Sequence, residues 1–106
     1  MGKSDEALVK KNIIAYIEKL ANEGIKIKSF TRQAGGFNYK NGVPDIYAVL
    51  YGFHLEIEVK GIGGTPSSAQ LRFERELKDL GCLYVRPGSF NEFKKYLDSI
   101  IAVLKK

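Results

Sequence analysis

A chain of 106 residues with 44% hydrophobic content has room for one domain with one core, spanning residues 1–106, and not for two. Seventeen Lys and Arg against twelve Asp and Glu leave a net charge of +5, which favours an anionic partner such as nucleic acid. A single cysteine (Cys82) and a single histidine (His54) exclude an intramolecular disulfide and a zinc site of Cys and His ligands within one chain, and no apolar run nears the roughly 20 residues needed to cross a bilayer.

From Ser4 to about Asn22 the apolar residues Leu8, Ile13, Ile14, Ile17 and Leu20 recur at helical spacing, with Ser4 as N-cap and Gly24 as terminator. Residues 25–31 alternate apolar and polar and predict a strand with one solvated face. A glycine-rich loop, Gln33 to Gly42, follows with Arg32 and Lys40 at its flanks. Two strands, 45–51 and 53–60, meet at Tyr51-Gly52, a turn suited to an antiparallel hairpin. Gly61 to Pro66 is a second glycine-rich connection. Ser67 and Gln70 have capping-box spacing at the start of a helix whose apolar positions are Leu71, Phe73, Leu77 and Leu80. Gly81 ends it, Cys82 to Arg86 reads as a short strand with Cys82 in the core, and Ser89 with Glu92 forms another capping box opening a last helix through Leu104. The order is αβββαβα, and a right-handed crossover would let the strand after the second helix return parallel to the central strand.

Chemistry concentrates on the hairpin. Glu56, Glu58 and Lys60 alternate with Leu55, Ile57 and Val59, so period two puts the three charges on one face, an arrangement that requires a solvated cleft. The hairpin returns Asp45 alongside Glu58 and Lys60. Two carboxylates and an ammonium at one place suit phosphodiester hydrolysis with hard Mg²⁺ or Mn²⁺, which prefers oxygen ligands and keeps waters for an incoming phosphate. Taken singly, Glu58 and Lys60 read as well as a surface ion-pair ladder, and Asp45 as a turn residue after Pro44. Order and spacing favour the site.

Gly42-Val-Pro-Asp45, then Glu58-Val-Lys60, then Ser68-x-Gln70 resembles the VRR-NUC branch of the PD-(D/E)xK nucleases, and the likeness runs from the first helix to the strand after Cys82. The resemblance implies an α/β, restriction-endonuclease-like αβββαβ core with a mixed sheet flanked by helices, to which this chain adds a C-terminal helix. It implies that Asp45, Glu58 and the backbone carbonyl of Val59 hold Mg²⁺ or Mn²⁺, that Lys60 is the catalytic lysine and that Gln70 contacts the site. Members of the family often add a glutamate from the first helix, for which Glu6 is placed best, ahead of Glu18 and Glu23. Phe73 stands where the family often has Trp.

Arg32, Gln33, Tyr39 and Lys40, just before Asp45, are candidates for holding DNA by phosphate contacts and base stacking. Arg72, Arg75 and Lys78 form a basic stripe that Glu74 and Glu76 partly offset, and His54 is not expected to be a ligand. The expected activity is a metal-dependent endodeoxyribonuclease, structure-selective on branched DNA such as four-way (Holliday) junctions. The stand-alone phage and bacterial members that the chain resembles look like homodimers, and the expected compartment is the cytoplasm of a bacterial or phage-infected host cell. A restriction-type or mobile-element nuclease with sequence preference shares every catalytic residue. A non-catalytic nucleic-acid-binding module of the same fold is the alternative from another class.

Overall fold

The computed structural model describes residues 2–32, 42–60 and 65–105, with first-helix side chains described from Glu6 onward. The chain order is α1 (Gly2–Asn22), β1 (Ile27–Thr31), β2 (Ile46–Leu50), β3 (Phe53–Ile57), α2 (Ser68–Asp79), β4 (Leu83–Val85) and α3 (Phe90–Leu104). Loop residues Gln33 to Asn41 and Gly61 to Gly64 lie outside the described residues.

One sheet runs β1-β2-β3-β4, with the first two pairings antiparallel and β3–β4 parallel. Tyr51 and Gly52 both take positive φ, 50° and 82°, giving the two-residue turn whose twist matches antiparallel strands. Leu50 therefore pairs with Phe53 and Ile46 with Ile57. Helix α2 fills the crossover from β3 to β4, as its parallel return requires.

The core lies on one sheet face. Ile27, Ile46, Ala48, Leu50, Leu55 and Ile57 point into it and meet Ile13, Ile17 and Leu20 of α1 and Phe93, Leu97 and Ile101 of α3. Those helix residues recur three or four apart, the stripe that faces a core. The opposite face carries Phe30, Tyr47 and His54, which stack across three strands with centroids 4.9 and 5.1 Å apart. Among the described strands, α2 packs closely against β4.

Several expectations are corrected. Helix α1 begins at Gly2, so Ser4 lies within it and does not cap it. Leu8 is 56% exposed, because it lies about 100° round the helix from Val9, and Val9 packs against the core in its place. The assigned strand β3 stops at Ile57. Glu58 and Lys60 still donate their backbone N–H to Val85 and Pro87, but Pro87 has no N–H to return and the ladder ends. Helix α2 buries no residue completely, and Leu80 at its end is 78% exposed. Its apolar spacing is amphipathic, yet among the described strands it packs closely only against the three-residue β4. Cys82 is only half-buried. At α3 Ser89 accepts from Glu92 N–H as expected, whereas the Glu92 carboxylate passes the cap and accepts from Gly88 N–H.

Candidate active site

The site lies at the end of the β2–β3 hairpin away from its turn. Because Ile46 pairs with Ile57, the next residues outward, Asp45 and Glu58, stand opposite each other. Both share the parity of Tyr47 and Glu56 and so project from the face opposite the core. Lys60 lies two residues further on the same parity.

Local geometry fixes each partner. The capping box at α2 forms as the spacing predicts: Ser67 Oγ accepts from Gln70 N–H, and Gln70 Oε1 accepts from Ser67 N–H at 2.9 Å. The same Oε1 accepts from Lys60 Nζ at 2.7 Å. One carbonyl thus caps the helix and aims the lysine, so the capping and site roles of Gln70 coexist. Gly42 lies directly against this turn: with φ of +87°, a Cβ there would stand 2.6 Å from the Ala69 carbonyl carbon and oxygen. Glycine before Val-Pro-Asp lets the Asp45 strand approach the helix that carries Gln70.

The Glu58 carboxyl is partly sunk among these groups. Burial pushes its pKa up, Lys60 opposes this, Asp45 raises it again, and Lys10 and Glu6 act more weakly in opposite senses. The net shift is upward. Its Oε1 is buried with no hydrogen-bond partner, a costly state for a carboxylate oxygen. Such an oxygen, on the residue across the hairpin from Asp45, fits a hard divalent cation, with the Val59 carbonyl as a further oxygen donor. Among the described residues no three acidic, His or Cys side chains cluster tightly enough to hold a metal unaided.

Lys10 was not anticipated from the sequence. Its Nζ donates to Asp45 Oδ2 at 2.6 Å and lies 3.6 Å from Glu6 Oε2. Although burial lowers its pKa, the hydrogen bond and charge of Asp45 and the charge of Glu6 raise it overall. Of the three candidate glutamates, Glu6 comes near the site; Glu23 lies just past the end of α1. Glu23 pairs with Lys19, and Glu18 lies beside Ala21, Lys28 and Ser29 at the edge of β1.

Glu56, the third charge of the alternating run, does not face a solvated cleft. It is 1% exposed and clamped by Arg32, whose two guanidinium nitrogens donate to its two carboxylate oxygens at 2.7 Å each, with His54 bonded on the other side. Arg32 also donates to the Pro44 carbonyl and lies 4.4 Å over the Tyr47 ring. The structure therefore turns Arg32 inward as a strut beneath the Pro44-Asp45 segment. Gln33, Tyr39 and Lys40, the other expected DNA contacts, lie outside the described residues. On α2 the basic stripe is offset as expected, with Glu74 paired to both Lys78 and Arg86. No helix among the described residues is long and apolar enough to cross a membrane.

No protein-family model matches the sequence, and no curated protein matches it. The fold matches a solved structure described as a VRR_NUC domain, with a TM-score of 0.64 and 23% identity over 89% of this chain and 95% of that one. The likeness establishes the fold: an α/β, restriction-endonuclease-like domain with a mixed four-stranded sheet, flanking helices and a C-terminal helix, as the motifs implied.

Proposed function

We propose that the protein is a metal-dependent endodeoxyribonuclease in which Asp45, Glu58 and the Val59 carbonyl hold Mg²⁺ or Mn²⁺. The observation that carries this reading is the buried, unpartnered carboxylate oxygen of Glu58, the residue across the hairpin from Asp45, together with a lysine held in position by Gln70. When bound, the metal neutralises charge on the scissile phosphate and acidifies a water. The protein supplies placement. Asp45 and Glu58 directly follow the last registered pair, Ile46 and Ile57, so the hairpin sets where they stand. Lys60, drawn toward Gln70 Oε1, presents its ammonium beside the carboxylates, where negative charge builds on the phosphoryl oxygens.

The likeness in fold to a VRR_NUC domain and the Gly-Val-Pro-Asp, Glu-Val-Lys and Gln motifs support DNA as the substrate, and the resemblance extends the reading to branched DNA such as four-way junctions. Symmetric incision of a junction requires two sites related by a two-fold axis, so the working species in this reading is a homodimer.

Incubation with duplex, flap, single-stranded and four-way junction DNA in Mg²⁺, Mn²⁺ or EDTA tests this. Metal-dependent cutting that is lost in Asp45→Ala and in Lys60→Ala, with far-UV circular dichroism unchanged, is the expected result. Full activity in EDTA, or undiminished activity in both variants, overturns it. A monomeric solution mass on junction DNA would remove the symmetric version and leave the nuclease.

A further inference from the structure

Among the described residues, Asp45 accepts a side-chain hydrogen bond from a cation that the metal site does not use, Lys10. Glu6 and Lys10 are one turn apart on α1 and project from the same side of it toward the start of β2. Lys10 Nζ sits between them, 2.6 Å from Asp45 Oδ2 and 3.6 Å from Glu6 Oε2. An ammonium so close to Oδ2 competes for that carboxylate with any divalent ion that Asp45 would hold. The two cations repel, and Oδ2 cannot serve both at full strength. The Lys10 and Asp45 side chains are 29% and 38% exposed, so the ammonium can leave without passing through the core. Its four-carbon stem then keeps it within reach of the site while it hydrates or meets a phosphate.

We propose that Lys10 is a built-in counter-cation, which competes with the metal for Asp45 and moves to a DNA phosphate when the metal binds. This rests on the reading of the site as a metal-dependent nuclease. The consequence is linkage. Metal binding releases a phosphate-seeking ammonium, and a bound phosphate draws that ammonium off Asp45, so each ligand tightens the other by the same factor. Free protein then binds metal weakly, and the site fills on its substrate.

The test uses the full chain with Mn²⁺ as probe, followed by electron paramagnetic resonance or calorimetry, and compares the natural protein with Lys10→Met. Lys10 is part-exposed on a helix surface and methionine keeps its helix propensity, so the variant folds, as circular dichroism verifies. Without DNA, Lys10→Met is expected to bind Mn²⁺ at least tenfold more tightly. Adding phosphorothioate-linked junction DNA is expected to tighten Mn²⁺ binding in the natural protein and to do so several-fold less in the variant. Unchanged or weaker Mn²⁺ affinity in Lys10→Met overturns the competition while leaving the nuclease reading intact. Undiminished coupling to DNA in the variant overturns the transfer to phosphate. Absence of Mn²⁺ binding in both proteins overturns the nuclease reading and this inference together.

Discussion

Gly42→Ala separates a steric requirement of the site from an ordinary glycine preference. Gly24, Gly42 and Gly81 all have φ near +90°, so alanine at any of them incurs the left-handed penalty of about 1–2 kcal/mol. At Gly24 and Gly81 the new Cβ meets nothing within 4 Å, and that penalty is the whole effect. At Gly42 the Cβ stands 2.6 Å from the Ala69 carbonyl and 2.9 Å from Gln70 N, all of it helix backbone that cannot rotate away. Forcing a methyl group into such a contact adds about 1–3 kcal/mol. Gly42→Ala should therefore lose about 2–5 kcal/mol against about 1–2 kcal/mol for Gly81→Ala. Urea unfolding followed by far-UV circular dichroism measures both. If α2 yields to relieve the contact, it carries Gln70 away from Lys60, and DNA cleavage falls further than stability. Equal losses in the two variants would refute the close approach of the Asp45 strand to α2.

Arg32→Ala leaves Glu56 charged and buried without its bidentate partner and should cost about 3–5 kcal/mol in thermal or urea unfolding, of which Glu56→Gln in the same chain restores part. Gln70→Ala removes one capping-box partner and should cost about 1 kcal/mol, while releasing Lys60; cleavage kinetics should show a fall in kcat of more than tenfold, far outside what that stability change explains. Although burial raises the Asp98 pKa, hydrogen bonds from Tyr16 and Lys94 outweigh it and lower it below 3.8. A depressed carboxylate contributes stability that is full above its unfolded pKa and is lost as pH falls through the folded one. Tyr16→Phe should therefore weaken the α1–α3 tie near neutrality and flatten the loss of stability below about pH 4, read as melting temperature against pH.

The elements and their order were readable because each carries a local signal. Tyr51-Gly52 set the hairpin and, with period two, the meeting of Asp45 with Glu58. Ser67 and Gln70 announced their helix. What was not readable are the contacts between distant segments. Lys10 and Asp45 are 35 residues apart, and Arg32 and Glu56 are 24 apart. Helical periodicity places Lys10 three residues before Ile13 and seven before Ile17, on an extension of the core-facing stripe of α1, but does not say which strand end that extension overlooks. The alternation of Glu56, Glu58 and Lys60 was legible, yet the reason for it divides in two: Glu56 is buried under an arginine, while Glu58 and Lys60 face the site. The apolar stripe of α2 reports a face suited to burial, not how much of the sheet the helix meets, and here it packs closely only on the short β4.

The charges at the site explain why a small domain tolerates them. Glu6, Asp45 and Glu58 would repel one another if alone, and the upward shift at Glu58 follows from burial and its acidic neighbours together outweighing its cations. Lys10 and Lys60 offset two of the three negative charges, so with all five groups ionised the metal-free protein carries about one net negative charge there. A divalent ion reverses this to about one net positive charge, matched to the single charge of a phosphodiester. Without Lys10 the same site would bind metal more strongly but end neutral when loaded, with less attraction for DNA. The lysine on α1 thus trades metal affinity in the free protein for phosphate affinity in the loaded one, and both sides of that exchange are measurable in Lys10→Met.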